Sequence, residues 1–337
     1  MANIYDYEGN VIDIGTGSGE IVYPDAECKT AFIQAMQDKA DKYGLDMTVN
    51  GPAGFSDDSV DNQLANGKAM AKLYAIASGY DELCKIWNTS TDKYIYSKGS
   101  STTAHLLHSS VYGYNDGSHY ANSLTDYYDM LGGKTGTWSP FRLLGAIIKG
   151  PGDTLLCGWV RRNGSESASS NRWSNMKKLV DIAYALIADP SVDISSMQTA
   201  LVNDKCVAAE IIKLPVGNML LYEKSNLTDS SVNAKYPTFV YGYNDTVKDK
   251  IASNTKVLTA ITALDYVDDL NELVTLTESD CANQTGGTDA NPILQAGEKF
   301  TVRELIYAMM MPSSNRAAQA VARFTGNKLL NQRYNGL

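Results

Sequence analysis

The chain has 337 residues, 44% hydrophobic and 20% charged, enough to bury a sizeable core as one large domain or two lobes. A formal charge of −9 with no dense Lys/Arg run disfavours contact with phosphate backbones and excludes nucleic acid as the expected partner. No apolar run is long enough to span a bilayer, residues 1–10 carry neither the basic nor the apolar region of a normal export signal, and the five scattered cysteines (Cys28, Cys84, Cys157, Cys206, Cys281) read mostly as free thiols.

In chain order, Asn10 to Ile14 and Glu20 to Tyr23 read as short extended pieces around a flexible Gly15–Gly19 spacer. From Glu27, the spacing of Phe32, Met36, Ala40 and Tyr43 predicts an amphipathic helix that ends at Gly44, and a second helix is expected from Asp61 to Ala77. Residues 97–123, rich in Ser, Thr, Tyr, Gly and Asn, read as irregular surface. Leu143 to Ile148 and Thr154 to Arg161 form a predicted hairpin, followed by a helix from Trp173 to Ala188. Val207 to Leu214 and Asn218 to Tyr222 read as two strands meeting at Pro215-Val216-Gly217, and the last third is helical from Lys256 to Val267 and Val302 to Phe324. Antiparallel strands with flanking helices, plus a mostly helical remainder, indicate an α/β (α+β) fold with an α/β lobe and an all-helical lobe.

Three short motifs carry chemistry: Lys134-Thr135-Gly136, then Ser253-Asn254-Thr255-Lys256, then Ser313-Ser314-Asn315. An SxxK pattern is common, and Ser90 to Lys93 and Ser174 to Lys177 also satisfy it. Only Ser253 opens an apolar helix, formed by Val257, Leu258, Ile261, Leu264 and Val267, and there Ser253 and Lys256 stand one turn apart. A serine hydroxyl needs a neighbouring base, and a helix N-terminus stabilises negative charge growing on its oxygen. Standing alone, Ser253 would read as a helix cap. Ser169–Asn171 and Ser231–Asn233 match Ser-x-Asn too, but only Ser313–Asn315 lies between two helical segments. Lys134-Thr135-Gly136 is the one such triplet, ahead of the strand Leu143 to Ile148. His105 and His108 have no carboxylate or Cys close by in the sequence and read as structural or surface residues rather than a metal site, and no GxSxG elbow supports a Ser-His-Asp triad.

Together the motifs resemble those of the penicillin-recognising serine enzymes, the D-alanyl-D-alanine carboxypeptidases and serine β-lactamases. The likeness extends to Phe32–Leu45, Val207–Tyr222, the helix beginning near Arg172 and the run Gly297–Ala322, and so covers most of residues 27–330. The motif order differs from the family's, in which the nucleophile motif comes first and Lys-Thr-Gly last. The chain therefore resembles a circular permutation of the β-lactamase/transpeptidase-like fold, opened after the Ser-x-Asn helix and with the family termini joined through residues 188–195; two half-modules completed by swapping with a second copy are the alternative. The expected division is an N-terminal extension (1–24), the second part of the helical lobe (25–130), the sheet lobe (131–252), and the nucleophile helix with the first part of the helical lobe (253–337).

The resemblance implies Ser253 as nucleophile, Lys256 as base, Ser313 and Lys134 as proton relay, Asn315 orienting Lys256 and the substrate amide, and Thr135, Gly136 and Thr137 binding substrate. Backbone N–H groups of Ser253 and Thr137 would form the oxyanion hole. It implies no metal or organic cofactor, a peptidoglycan stem peptide or β-lactam as partner, and an extracytoplasmic place of action. A β-lactamase, a related esterase or D-amino-acid peptidase, and a non-catalytic penicillin- or peptidoglycan-binding module are the rival readings. No Glu-x-x-Leu-Asn segment of the class A β-lactamase kind is present.

Overall fold

The computed structural model describes residues 4–5, 11–14, 21–53, 63–89, 92–111, 122–152, 154–215, 237–282 and 290–335. Strands β1 (Ile4–Tyr5), β2 (Val11–Ile14) and β3 (Ile21–Val22) form a small antiparallel sheet ahead of helix α1 (Asp25–Lys42). Strands β4 (Met47–Thr48) and β5 (Leu64–Ala65) precede helices α2 (Gly67–Ala77) and α3 (Asp81–Trp87), the hairpin β6 (Lys93–Tyr96) and β7 (Ala104–Leu107), and a helical turn α4 (Asn122–Thr125). The strands β8 (Met130–Trp138), β9 (Phe141–Lys149) and β10 (Thr154–Asn163) run consecutively, and helices α5 (Arg172–Ala188) and α6 (Ser195–Asn203) separate them from β11 (Cys206–Pro215) and β12 (Thr238–Tyr243). A two-residue strand β13 (Asp249–Lys250) leads through a 3-10 turn, Ala252–Asn254, into α7 (Thr255–Tyr266). Then come β14 (Leu273–Thr275), α8 (Glu278–Cys281), β15 (Lys299–Thr301), α9 (Val302–Met310) and α10 (Asn315–Asn335).

The main sheet is antiparallel, ordered β12-β11-β10-β9-β8, so that among the described residues β8 is an edge strand. The period-2 alternation of a strand sorts its residues to two faces. Leu144, Ala146, Ile148, Leu156 and Val160 pack under α5 with Met176, Leu179, Val180 and Ala183. Leu143, Ile147, Leu155, Cys157 and Trp159 face the helices, where Phe32, Met36, Leu73, Tyr74, Leu258, Ile261 and Ala318 complete the larger core. Buried on both sides, β9 and β10 read as continuous apolar runs, which is why their hairpin is legible in the sequence.

Several expectations are corrected. The helix predicted from Asp61 starts at Gly67, because Leu64 and Ala65 pair with β4 and β13 and the Asn66 side chain accepts from Ala69 N at 2.9 Å as an N-cap. The stretch read as irregular surface contains β7, held to β6 by pairs from Lys93↔Leu107 to Tyr96↔Ala104, with His105 and Leu107 inside. The Gly15–Gly19 spacer and the strand proposed at Asn218 to Tyr222 lie outside the described residues, and the partner seen beside β11 is β12. Strand β3 and the start of α1 run along α10: Ile21 N donates to Asn331 Oδ1 at 2.8 Å, Asn331 Nδ2 donates to Ile21 O at 2.8 Å, and Tyr23 N donates to Asn327 Oδ1 at 2.9 Å.

Candidate active site

Ser253 is half-buried in the 3-10 turn that opens α7, and Ala252 before it has φ 48°. A non-glycine residue in this left-handed region costs on the order of 1–2 kcal/mol. Thr255 holds the turn closed, its Oγ1 donating to Ala252 O at 2.8 Å. Lys256 is fully buried, with Nζ 2.9 Å from Ser253 Oγ, 2.8 Å from Ala53 O and 2.7 Å from Asn315 Oδ1. Both carbonyl oxygens can only accept. In its neutral form the amine would spend its two N–H bonds on Ala53 and Asn315 and turn its lone pair to the Ser253 hydroxyl.

Ser313 lies in the connection between α9 and α10, buried, at φ 73°. The chain around it is pinned by Ser314, whose N donates to Ala308 O at 2.9 Å and whose Oγ accepts from Ala317 N at 3.2 Å. This geometry turns Asn315 inward at the first position of α10. Its Oδ1 meets Lys256, while its Nδ2 is buried with no hydrogen-bond partner among the described residues.

Lys134 on β8 is fully buried and its Nζ donates to Ser313 Oγ at 2.9 Å and to Thr135 O at 3.0 Å. Burial, with a smaller push from the Arg172 guanidinium, brings its amine down to about 7. Thr135 is half-buried and its Oγ1 donates to Ser110 Oγ at 3.1 Å; Thr137 is exposed. A Cβ on Gly136 would stand 2.5 Å from the Asn254 amide and 3.0 Å from Ile251 O, so the nucleophile turn approaches the strand as closely as it does only because this residue is glycine. The structure thus gathers Ser253, Lys256, Ser313, Asn315 and Lys134 within one chain, as a linked trio, Ser253–Lys256–Asn315, and a linked pair, Lys134–Ser313.

Residues with no motif of their own complete the surroundings. Asn171 caps α5 in a reciprocal capping box with Ser174, which places buried Arg172 at the first helical position behind β8. Arg172 Nη1 donates to Gly136 O at 2.9 Å, and its Nε and Nη2 grip Glu166 at 2.8 and 2.6 Å. Burial pushes the Glu166 carboxyl up, but the Arg172 hydrogen bonds outweigh it and hold the group below its usual range. The Asn171 cap signal foreshadows Arg172, whereas Ala53, Tyr74 and Ser110 reach the site through backbone paths that no local pattern encodes. The decoy motifs have other duties: Ser174 belongs to the α5 cap, Lys177 pairs with Asp181 at 2.9 Å, and Ser170 donates to Asp204 at 2.5 Å; Ser90 and Ser231–Asn233 lie outside the described residues. His105 Nδ1 lies 2.7 Å from Pro292 O and Nε2 lies 2.9 Å from Glu298, while His108 meets Asp92 at 2.8 Å. Among the described residues no group of three His, Cys, Asp or Glu side chains is placed to hold a metal ion, and no helix is long and apolar enough to cross a membrane.

A family model described as D-alanyl-D-alanine carboxypeptidase matches residues 232–328, the segment that carries both serine motifs. No curated protein and no solved structure matches the chain. The mixed α/β architecture with an antiparallel sheet agrees with that family's fold. Over that segment the chain is similar to the D-alanyl-D-alanine carboxypeptidases.

Proposed function

We propose that this protein is a serine-type D-alanyl-D-alanine carboxypeptidase-like hydrolase working through an acyl-enzyme, with a peptidoglycan stem peptide as substrate and β-lactams as acylating mimics. The observation that supports it most is the fully buried Lys256 amine, 2.9 Å from the Ser253 hydroxyl. Lys256 takes the proton as Ser253 Oγ bonds to the substrate carbonyl carbon. Negative charge on the carbonyl oxygen is met by the N–H groups of Ser253 and Thr137, donors that contribute about 3 kcal/mol each in such sites. The protonated Lys134 amine, through Ser313, hands a proton to the departing amine as the carbon–nitrogen bond breaks. Water then hydrolyses the ester: its oxygen bonds to the acyl carbon as one of its protons restores Lys134, and the bond to Ser253 Oγ breaks as Oγ takes back the proton held by Lys256.

The unpartnered Asn315 Nδ2 fits this reading as a donor for a substrate amide carbonyl, since a buried donor left unmade costs about 1–3 kcal/mol. Thr135 and the edge strand β8 offer the hydroxyl and backbone groups to seat an extended peptide ending in a carboxylate. We read the connectivity as a permutation that closes its site within one chain. Hydrolysis of β-lactams as a main activity is less supported, because the sequence holds no Glu-x-x-Leu-Asn segment of the kind that supplies a deacylating glutamate in class A β-lactamases.

Incubation with a fluorescent penicillin, followed by intact mass and peptide mapping, is expected to give one covalent adduct on Ser253. An adduct that persists in Ser253→Ala, or none at any reagent ratio, would overturn the assignment. Release of D-alanine from a pentapeptide, measured beside nitrocefin turnover, separates peptidase from β-lactamase.

A further inference from the structure

The residue after the nucleophile makes an unexpected set of contacts. Asn254 is fully buried, and with its amide oriented to satisfy its neighbours, Nδ2 donates to Lys134 O at 3.2 Å and to Tyr74 Oη at 2.5 Å, while Oδ1 accepts from Gly136 N at 3.2 Å. Tyr74, fully buried on α2, donates its own hydroxyl to Lys134 O at 3.3 Å. One side chain therefore spans from the nucleophile turn to two backbone positions of the Lys134–Gly136 triplet, and a tyrosine from a third element braces it.

The sheet is shaped to admit this bridge. A Cβ on Gly145, which pairs with Lys134 across β8 and β9, would lie 1.8 to 2.4 Å from Tyr74 ring and hydroxyl atoms, and a Cβ on Gly136 would strike the Asn254 amide. Two glycines on adjacent strands thus make room for the two polar side chains, in a part of the core where an apolar pair would fill the same volume without needing hydrogen-bond partners. Buried amides are costly unless satisfied, and here satisfaction fixes geometry.

We propose that Asn254, braced by Tyr74, is a positioning residue that sets the spacing between Ser253 and the Lys134–Thr137 strand. The inference rests on the reading of Ser253 as nucleophile and of that strand as the substrate edge. Ser253 N and Thr137 N belong to the two segments the bridge ties together, so the bridge holds these two N–H donors at one separation before substrate arrives. Tyr74 and Asn254 touch no reacting atom in this scheme; they act through the turn and the strand.

The test compares Asn254→Leu and Tyr74→Phe with the unaltered protein, using a fluorescent penicillin and following adduct formation by time-resolved intact mass across reagent concentrations. The first-order acylation constant is expected to fall at least tenfold in Asn254→Leu and three- to tenfold in Tyr74→Phe, with the half-saturating reagent concentration unchanged within twofold. A double variant no worse than Asn254→Leu alone would mark the two as one unit. Acylation constants unchanged in folded variants would overturn the proposal, as would equal losses in rate and half-saturation. Tyr74→Phe keeps the ring over Gly145 and serves if Asn254→Leu does not fold. A crystal structure of Asn254→Leu, or of Tyr74→Phe, provides a readout that needs no acylation: the Ser253 turn is expected to shift from the strand, and an unmoved turn refutes the role. Absence of labelling in the unaltered protein overturns the nucleophile reading instead, while the structural comparison still decides the positioning role.

Discussion

Two buried lysines stand one hydrogen bond away from two serines, and their acceptors divide the work. Lys256 faces two carbonyl oxygens and one hydroxyl, a set suited to a base; Lys134 donates to Ser313 and Thr135 O with its amine brought to about 7. If Lys134 relays a proton outward, its acid form is the active one. That form is full below about pH 7 and is lost as the pH rises through that value, so penicillin acylation is expected to decline between pH 6 and 8 on this limb. Lys134→Arg, which stays charged, is expected to flatten the limb at a lower overall rate; a pH profile of the acylation constant checks this, and an unchanged limb would assign it to another group. At this scale the sequence was informative about which residue types matter. It was silent on Tyr74 and on the part played by Asn254, whose importance comes from what lies behind them.

Among the elements, the strands and helices with strong one-sided or continuous apolar character were legible: α1, α5, α7 and the β9–β10 hairpin all lie within a few residues of their expected bounds. The misses share a cause. Helix α6 buries only Leu201, strand β12 exposes Thr238 and Phe239 at the sheet edge, and Leu64–Ala65 leave the helical pattern for tertiary pairing, so local periodicity had little to report. The packing of α2 on the sheet yields a sharper expectation. Gly145→Ala places a methyl inside the Tyr74 ring and should lower unfolding free energy by about 3 kcal/mol, the upper range for overpacking. Gly99→Ala, with its nearest neighbour at 3.6 Å, should change it by less than about 0.5 kcal/mol. Urea denaturation of the two variants tests the contrast, and equal losses would contradict the packing described.

For the molecule as a whole, the motif order suggested rearranged connectivity, and the geometry supplies a physical route for it. Residues 21–23 bond to Asn327 and Asn331 on α10, while the 189–194 link between α5 and α6 is largely exposed. A chain in which a short Gly/Ser linker joins residue 335 to residue 21, opened between Pro190 and Ser191, is therefore expected to fold as a monomer and to be acylated within threefold of the original rate. Size-exclusion chromatography with labelling checks it; a folded permutant that labels only as a dimer would favour swapping.

The seam between α1 and α10 also has a consequence in time. Phe32, Met36 and Ala40 on α1 share a core with Ile261, Ala318 and Val321, residues made more than two hundred positions later. At ordinary rates of translation that interval is on the order of tens of seconds. Through it helix α1 emerges with its apolar face uncovered, and the Lys134 strand waits without Ser253 and Ser313. The Ser253–Lys256–Asn315 hydrogen-bond set cannot form in a nascent chain until residue 315 has left the ribosome.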